Sequence, residues 1–383
     1  MPALKEIRFR SNPRVELKQL SELTAGQREP FLELANDPGF HGLFVPQPPL
    51  SMNLKAVEHQ TAELFRTLLS PSHLDQALLE DDEYVGDVVD LVLDGILEIE
   101  SGGAFVSGAD AFPVICTRLD APGVNDAAAG LSRDALLHAQ DLESDDPRVL
   151  TRALYFYNRI PMSPFWKTRF ANETAILACL GADGDALRIL LEREWIASHR
   201  TSGWLNWTSR MAVPRKAGDR TYKLYVSPRP ERIREAFQTV VRVLSAFPGT
   251  QFKIGDSAAG LLRPDKLVAY FTSREQLDEA AAALHRELAG CEAHGVPFTA
   301  GLDDSGLLSW GVDPPDDDRA LQWQQRESWR LWVAQRLGSA MAIAKSARSA
   351  SAGEPWRFAI ERARRHGVDI ETWTPSATLW SSP

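Results

Sequence analysis

Six cations and two phenols carry the chemistry of this chain. The stretch FKIGDSAAGLLRPDKLVAYF (252–271) has the apolar skeleton of two short strands joined by a Gly-containing loop, and it sets Lys253, Arg263 and Lys266 at the strand edges. Only Asp256 and Asp265 stand among them. Arg326 and Arg330 are four residues apart, a spacing that puts both on one face of a late helix. Arg220, Tyr222 and Tyr225 sit on or beside a neighbouring strand candidate, TYKLYVS (221–227). Guanidinium forks suit phosphate oxygens, which they grip two at a time. A lysine among arginines has its pKa lowered by like-charge repulsion, which makes a neutral amine base available near neutral pH. Together these groups suit β-elimination of phosphate from phosphoserine or phosphothreonine. Lys253 would take the Cα proton while Arg263, Lys266, Arg330, Arg326 and Arg220 hold the departing phosphate. That reaction calls for neither a metal nor an organic cofactor. Tyr222 and His199 are the candidates for the general acid.

Other chemistries find no foothold. The chain contains no GxGxxG, GxxxxGK[ST], GxSxG or HExxH. Its eight histidines are scattered. Cys116, Cys179 and Cys291 lie too far apart for a CxxC pair, so no disulfide framework or structural metal is expected. Net charge is −10 overall, yet residues 210–274 hold 13 Lys+Arg against 5 Asp+Glu. That local excess points to an anionic partner. A small phosphate group fits better than nucleic acid, because the acidic remainder of the chain would repel an extended polyanion. With 44% hydrophobic and 25% charged residues, no bilayer-length apolar run and no secretory h-region, a soluble cytoplasmic protein is expected.

The elements that must position these groups read as α+β. A length of 383 residues suggests two domains, divided as 1–205, mainly helical, and 206–383, α+β. In the first, LKAVEHQTAELFRTLL (54–69), SHLDQALL with Ser72 as its cap, and EYVGDVVDLVLDGIL are expected as three helices. ILEIESGGAFVSG follows as a hairpin, which completes a winged-helix outline over 52–108. Residues 117–150 read as a connection rich in Asp, Ala and Gly, ending where Asp146–Pro147 starts a helix. The proline pair in PMSP (161–164) breaks the chain, and Asp185 is expected to cap a further helix. In the second part a strand (221–227), a helix through Ile233, Phe237, Val240 and Leu244, two strands, a helix opened by Ser273 and Gln276, and a long amphipathic helix WQQRESWRLWVAQRLGSAMAIA follow in turn.

The element order over 52–108 resembles the winged-helix peptide-recognition elements of pathways that modify ribosomally made peptides, carried by AELFRTLL and DVVDLVLDGILEIE. Three later stretches, YKLYVSPRPERIREAF (222–237), FKIGDSAAGLLRPDKLVAYF (252–271) and GVPFTAGLDDSGLLSWGVDPP (295–315), resemble the family of HopA-type effector proteins and its relatives in peptide-modification gene clusters. This resemblance implies a lyase that acts after a separate kinase, leaving dehydroalanine or dehydrobutyrine in a lanthipeptide or thioamide precursor peptide, with a separate cyclase as a further partner. It carries Lys253, Arg263 and Lys266 over as strand-borne cations of the active site and Arg330 as the helix-borne one. The chain departs from the family in reading ESWR (327–330), with a bulky Trp329 before the arginine. Two other readings stand beside the enzyme: a scaffold that binds phosphopeptide without turning it over, and a secreted effector.

Overall fold

The computed structural model describes residues 4–116, 123, 126–197, 203–211, 213, 220–314, 327–347 and 353–376. The chain is mixed α+β, and its largest sheet has seven strands with every pairing antiparallel. From one edge to the other these are Ala300–Gly301, Leu308–Val312, Tyr222–Val226, Leu267–Phe271, Gln251–Gly255, Trp204–Ser209 and Trp195–Ala197.

The two faces of this sheet differ in kind, and the register shows why. Cross-strand partners in an antiparallel pair share a face. One face aligns Trp207, Phe252, Ala269 and Leu224. It packs with Ile254, Leu267, Phe271 and Val226 against the buried sides of helices Ile233–Leu244 and Arg274–Glu287. The other face aligns Asn206, Lys253, Val268, Tyr225 and Ser309 in one row and Thr208, Gln251, Tyr270, Lys223 and Gly311 in the next. Both faces are covered at Tyr222–Val226, so this strand is buried at four of its five positions instead of alternating in and out, whereas Asn206, Gln251, Lys253 and Tyr270 on the polar face are half-buried.

A second core joins residues from the start of the chain to its last helices. Phe9, Phe65, Val92, Leu97, Phe112, Leu136 and Leu154 pack with Val333, Leu337, Met341, Trp356 and Ala363. The buried cores therefore group the chain differently from a cut at 205, since helices Trp329–Lys345 and Pro355–Arg365 belong with the N-terminal elements. Helix Trp329–Lys345 buries most of its surface, from Trp329 and Arg330 to Ile343 and Ala344, and leaves Leu331, Trp332, Gln335, Arg336 and Ser339 half-buried along one face. It crosses helix Pro147–Tyr155 at Gly338, where a Cβ would lie 2.7 Å from the Thr151 backbone nitrogen. Alanine is the better helix former by up to ~1 kcal/mol. Here the atom it would meet is backbone and cannot swing aside, so the clash outweighs propensity. Gly338→Ala is expected to cost about 1–3 kcal/mol in urea denaturation; a gain in stability would show that the crossing is loose.

Several local readings need correction. Residues 54–69 open as a strand, Lys55–Glu58, before helix His59–Thr67, because Lys55–Glu58 completes a three-stranded sheet with Val15–Lys18 and Phe40–Pro46. The expected Ser72 helix does not form. Ser72 bridges to Phe9, both backbone groups are taken up there, and only the short 3₁₀ turn Leu78–Glu80 follows. Two helices, His59–Thr67 and Asp82–Leu93, thus precede the hairpin Leu97–Ser101/Ala104–Val106, and Phe9–Ser11 adds a third strand to it. Helix Ala127–Asp141, capped by Asp126, forms within the stretch read as a connection; small alanines bury its face without a strong apolar rhythm. Gly184 holds the cap position assigned to Asp185. Asp146 does cap Pro147–Tyr155, accepting from Arg148 N at 2.7 Å. No described helix is long and apolar enough to cross a membrane.

Candidate functional site

Strands Gln251–Gly255 and Leu267–Phe271 pair directly, but a four-residue helix, Ala258–Leu261, replaces the simple loop between them. Ser257 caps it by accepting from Gly260 N at 3.2 Å. The turn folds back so closely that a Cβ on Gly255 would stand 2.6 Å from the Gly260 carbonyl carbon, so both positions require glycine. That tight return places Arg263 over the polar face of the sheet, beside Lys253.

Asp265 organises the cations. Arg263 grips it with two bonds, Nε to Oδ1 at 2.8 Å and Nη2 to Oδ2 at 2.7 Å. Arg330, reaching in from the first turn of helix Trp329–Lys345, brings Nη1 to 2.8 Å from Oδ2. That approach lacks hydrogen-bond alignment, so Nη1 keeps unused donor capacity. The remaining Arg330 donors are spent on Pro297 O (Nε, 2.9 Å) and Tyr155 O (Nη2, 3.1 Å). Tyr155 in turn accepts from Arg263 Nη2 at 3.0 Å, and its ring underlies both guanidiniums, at 5.4 Å from Arg263 and 5.1 Å from Arg330. Buried Asp265 sits far below the usual carboxylate range: burial opposes its charge, but Arg330 and Arg263 more than compensate.

Lys253 lies next in line. Its Nζ is 4.3 Å from the centre of the Trp204 ring, which also carries Arg263 at 5.4 Å. On its other side Tyr270 is shared with Lys223, at 5.3 Å and 5.5 Å. Lys223 is paired with Asp313. The Lys253 amine is pushed down to about 8, chiefly by burial and then by Lys223, with Arg263 adding a smaller share. Sequence reasoning attributed such a shift to arginine repulsion; desolvation is the larger cause. Burial drives the Tyr270 phenol well above its ordinary value, followed by Asp313 and Asp265, so it stays protonated. The row runs Arg330, Asp265, Arg263, Lys253, Lys223, Asp313. Its four cations face two carboxylates, which leaves an excess of two positive charges when Lys253 is protonated.

The sequence-derived residues divide on this geometry. Lys253, Arg263 and Arg330 are brought together, although Arg330 is only 1% exposed and stands behind Asp265, where it holds the carboxylate without reaching an open surface. Lys266 is not in the cluster. Just before the strand Leu267–Phe271, its side chain is fully buried, donating to Pro228 O at 2.9 Å and lying 2.7 Å from His294 Nδ1. Burial pushes its amine down to about 7, and pushes His294 down to about 3 with the help of Lys266. His294 also bonds Asn158 O at 2.5 Å, while Asn158 Nδ2 donates back to His294 O at 2.8 Å. This clamp ties the segment bearing Tyr155 to the segment bearing Pro297, the two that seat Arg330. Tyr222 pairs with Phe271 and Val312 and lies tilted beside Trp310 on the helix-covered face, away from Lys253. Arg220 is exposed just before that strand. His199 and Arg326 lie outside the described residues. Sequence reasoning missed Tyr155, Trp204, Lys223, Tyr270 and Asp313 as site groups. The signal for Lys223 was present, since a lysine in mid-strand opposite apolar Tyr222, Leu224 and Val226 needs a partner.

No family model and no curated relative matches the chain. Among solved structures, the effector protein from Pseudomonas syringae pv. tomato strain DC3000 is similar at 12% identity, with a TM-score of 0.38, over 66% of this chain and 98% of that one. The effector protein from Pseudomonas syringae pv. syringae strain 61 is similar at 12% identity, with a TM-score of 0.37, over 65% of this chain and 98% of that one. At this degree of overlap neither transfers an activity.

Proposed function

We propose that the polar face of the large sheet eliminates phosphate from phosphoserine or phosphothreonine in a peptide, a ribosomally made precursor phosphorylated by a separate kinase. The observation that carries this reading is Lys253, an amine of lowered pKa held between aromatic rings and directly beside a row in which Arg263, Arg330 and Lys223 outnumber Asp265 and Asp313 by one charge. A phosphomonoester brings about −1.5 to −2 charges and three acceptor oxygens, and the row's excess rises from one to two positive charges as Lys253 takes up the proton and phosphate departs. Neutral Lys253 removes the Cα proton and becomes an ammonium. The freed electron pair forms the Cα=Cβ bond, the Cβ–O bond breaks, and phosphate leaves with that bond's electrons. Arg263, the most exposed guanidinium of the row, and the Tyr155 hydroxyl receive the phosphate oxygens; Lys223 and Arg330 offset the growing charge from either side. Preorganised donors of this kind typically contribute 10²- to 10³-fold each. The product is dehydroalanine or dehydrobutyrine. Tyr270, kept protonated, takes the place of Tyr222 as a hydrogen-bond donor beside the leaving group.

The test is to incubate the protein with a phosphoserine peptide, without added metal or cofactor, and follow the peptide mass. Loss of phosphoric acid supports the reading; an unchanged phosphopeptide that stays bound identifies a scaffold instead.

A pH profile gives an independent check. Only unprotonated Lys253 is active, so log(kcat/KM) is expected to rise with a slope of about 1 below pH 8 and to level off above it. Phosphate's own second ionisation adds a further fall below about pH 6. A profile flat between pH 6.5 and 9 would remove Lys253 as the base.

A further inference from the structure

Beside the cation row, an open groove of about 500 Å³ runs along the end of helix Pro147–Tyr155 and the segment after it. This size is within the range of ligand sites. Its walls include Val149, Arg152, Phe156, Tyr157, Arg159 and His138. Phe156 is the partition between groove and site. It lines the groove, and its ring also lies 5.5 Å from the Arg263 guanidinium and 5.1 Å from the Tyr155 ring. Arg152 is exposed and enters no ion pair among the described residues. Arg159, also exposed, spends one Nη2 bond on Ala259 O at 3.2 Å and keeps the rest of its fork free. Against these two guanidiniums, Asp134 is the carboxylate felt at the wall, where it adds to the effect of burial in raising the Tyr157 phenol.

We propose that this groove holds acidic side chains flanking the phosphorylated residue, so that the protein selects phosphopeptides with Asp or Glu beside the reacting position. The inference rests on reading the neighbouring site as one that acts on phosphopeptides. Geometry makes the link: a chain whose phosphate sits on Arg263 can run on across Phe156, and there it meets two arginine forks over an apolar and aromatic floor. An acidic side chain gains paired, bidentate contacts in that position. A basic one meets like charge.

The experiment uses the full chain and fluorescently labelled phosphoserine peptides that differ only in two flanking residues, both Glu, both Gln or both Lys. Binding is read by anisotropy in a Lys253→Met background, where turnover is blocked, and kcat/KM is read with native Lys253. The Glu peptide is expected to lead the Gln peptide by about tenfold and the Lys peptide by more, in both measurements. Arg152→Glu is expected to bring that ratio to within about twofold, with Arg152→Gln intermediate, since an exposed helical position tolerates either change. A ratio near one with native Arg152, or an undiminished ratio in Arg152→Glu, overturns the proposal. The two readings fail separately. A protein that prefers the Glu peptide yet never releases phosphate loses the lyase reading and keeps the groove; one that eliminates from all three peptides equally loses the groove alone.

Discussion

Lys253→Met is expected to lower phosphate elimination by about 10²- to 10⁴-fold, the range a positioned proton-transfer group contributes. The methionine stem still lies between Trp204 and Tyr270, so the packing of the sheet face survives, and a half-buried amine is no longer desolvated. Stability should therefore hold or rise, and the variant should still bind phosphopeptide through Arg263 and its neighbours. Lys223→Met is the informative companion. It removes the largest charge contribution to the lowered Lys253 pKa, so the break in the pH profile should move to higher pH. Full turnover by Lys253→Met, measured by peptide mass, would exclude its amine from the reaction.

The second large effect concerns Asp265, which no substrate needs to touch. Asp265→Asn strips a carboxylate from between two guanidiniums, Arg263 and buried Arg330. Leaving buried charges unpaired typically costs 3–5 kcal/mol, of the same order as the stability of many whole domains. The pH dependence follows from the direction of the shift. The carboxyl titrates below its ordinary value of about 3.9, so its contribution is complete above that pH and fades as pH falls through the folded-state value. In Asp265→Asn that acid-dependent loss should be smaller. Added inorganic phosphate supplies a replacement anion. At 100 times its dissociation constant it should restore about 2.7 kcal/mol, and the rise in Tm should exceed that of the native protein. An Asp265→Asn protein as stable as the native one and indifferent to phosphate would show that the two arginines do not depend on this carboxylate.

Local signals in the chain were most readable where one side chain answers to its own backbone. Asp146 and Ser273 cap helices as their positions suggest; the Ser273 hydroxyl accepts from Gln276 N at 3.3 Å, although the Gln276 side chain turns to Pro248 O instead of closing a capping box. The hairpin at Ser101–Gly103 and the strands 222–226, 251–255 and 267–271 also stand where alternation and glycine place them. What failed were elements whose state is set by a distant partner. Ser72 has the makings of a helix cap, yet Phe9 takes up its backbone groups. Lys55–Glu58 carries a helical pattern and is drawn into a sheet by Phe40–Pro46.

The candidate site divides along the same line. From the amino-acid order alone came the mixed α+β class, the cationic character of the 210–274 region and the choice of Lys253, Arg263 and Arg330 as residues worth placing together. Those follow from residue type and short-range spacing, which the chain carries wherever it goes. Only the tertiary structure decided that Lys266 turns into the interior toward His294, that Tyr222 faces the helices, that Asp265 holds Arg263 and Arg330 at once, and that Tyr155 and Trp204 supply the surfaces on which the cations rest. Sheet register and the return of a helix more than 60 residues downstream set these contacts. Sequence separation hides such pairings because the energy that selects them, burial and charge neutralisation among remote groups, exists only once the chain has closed on itself.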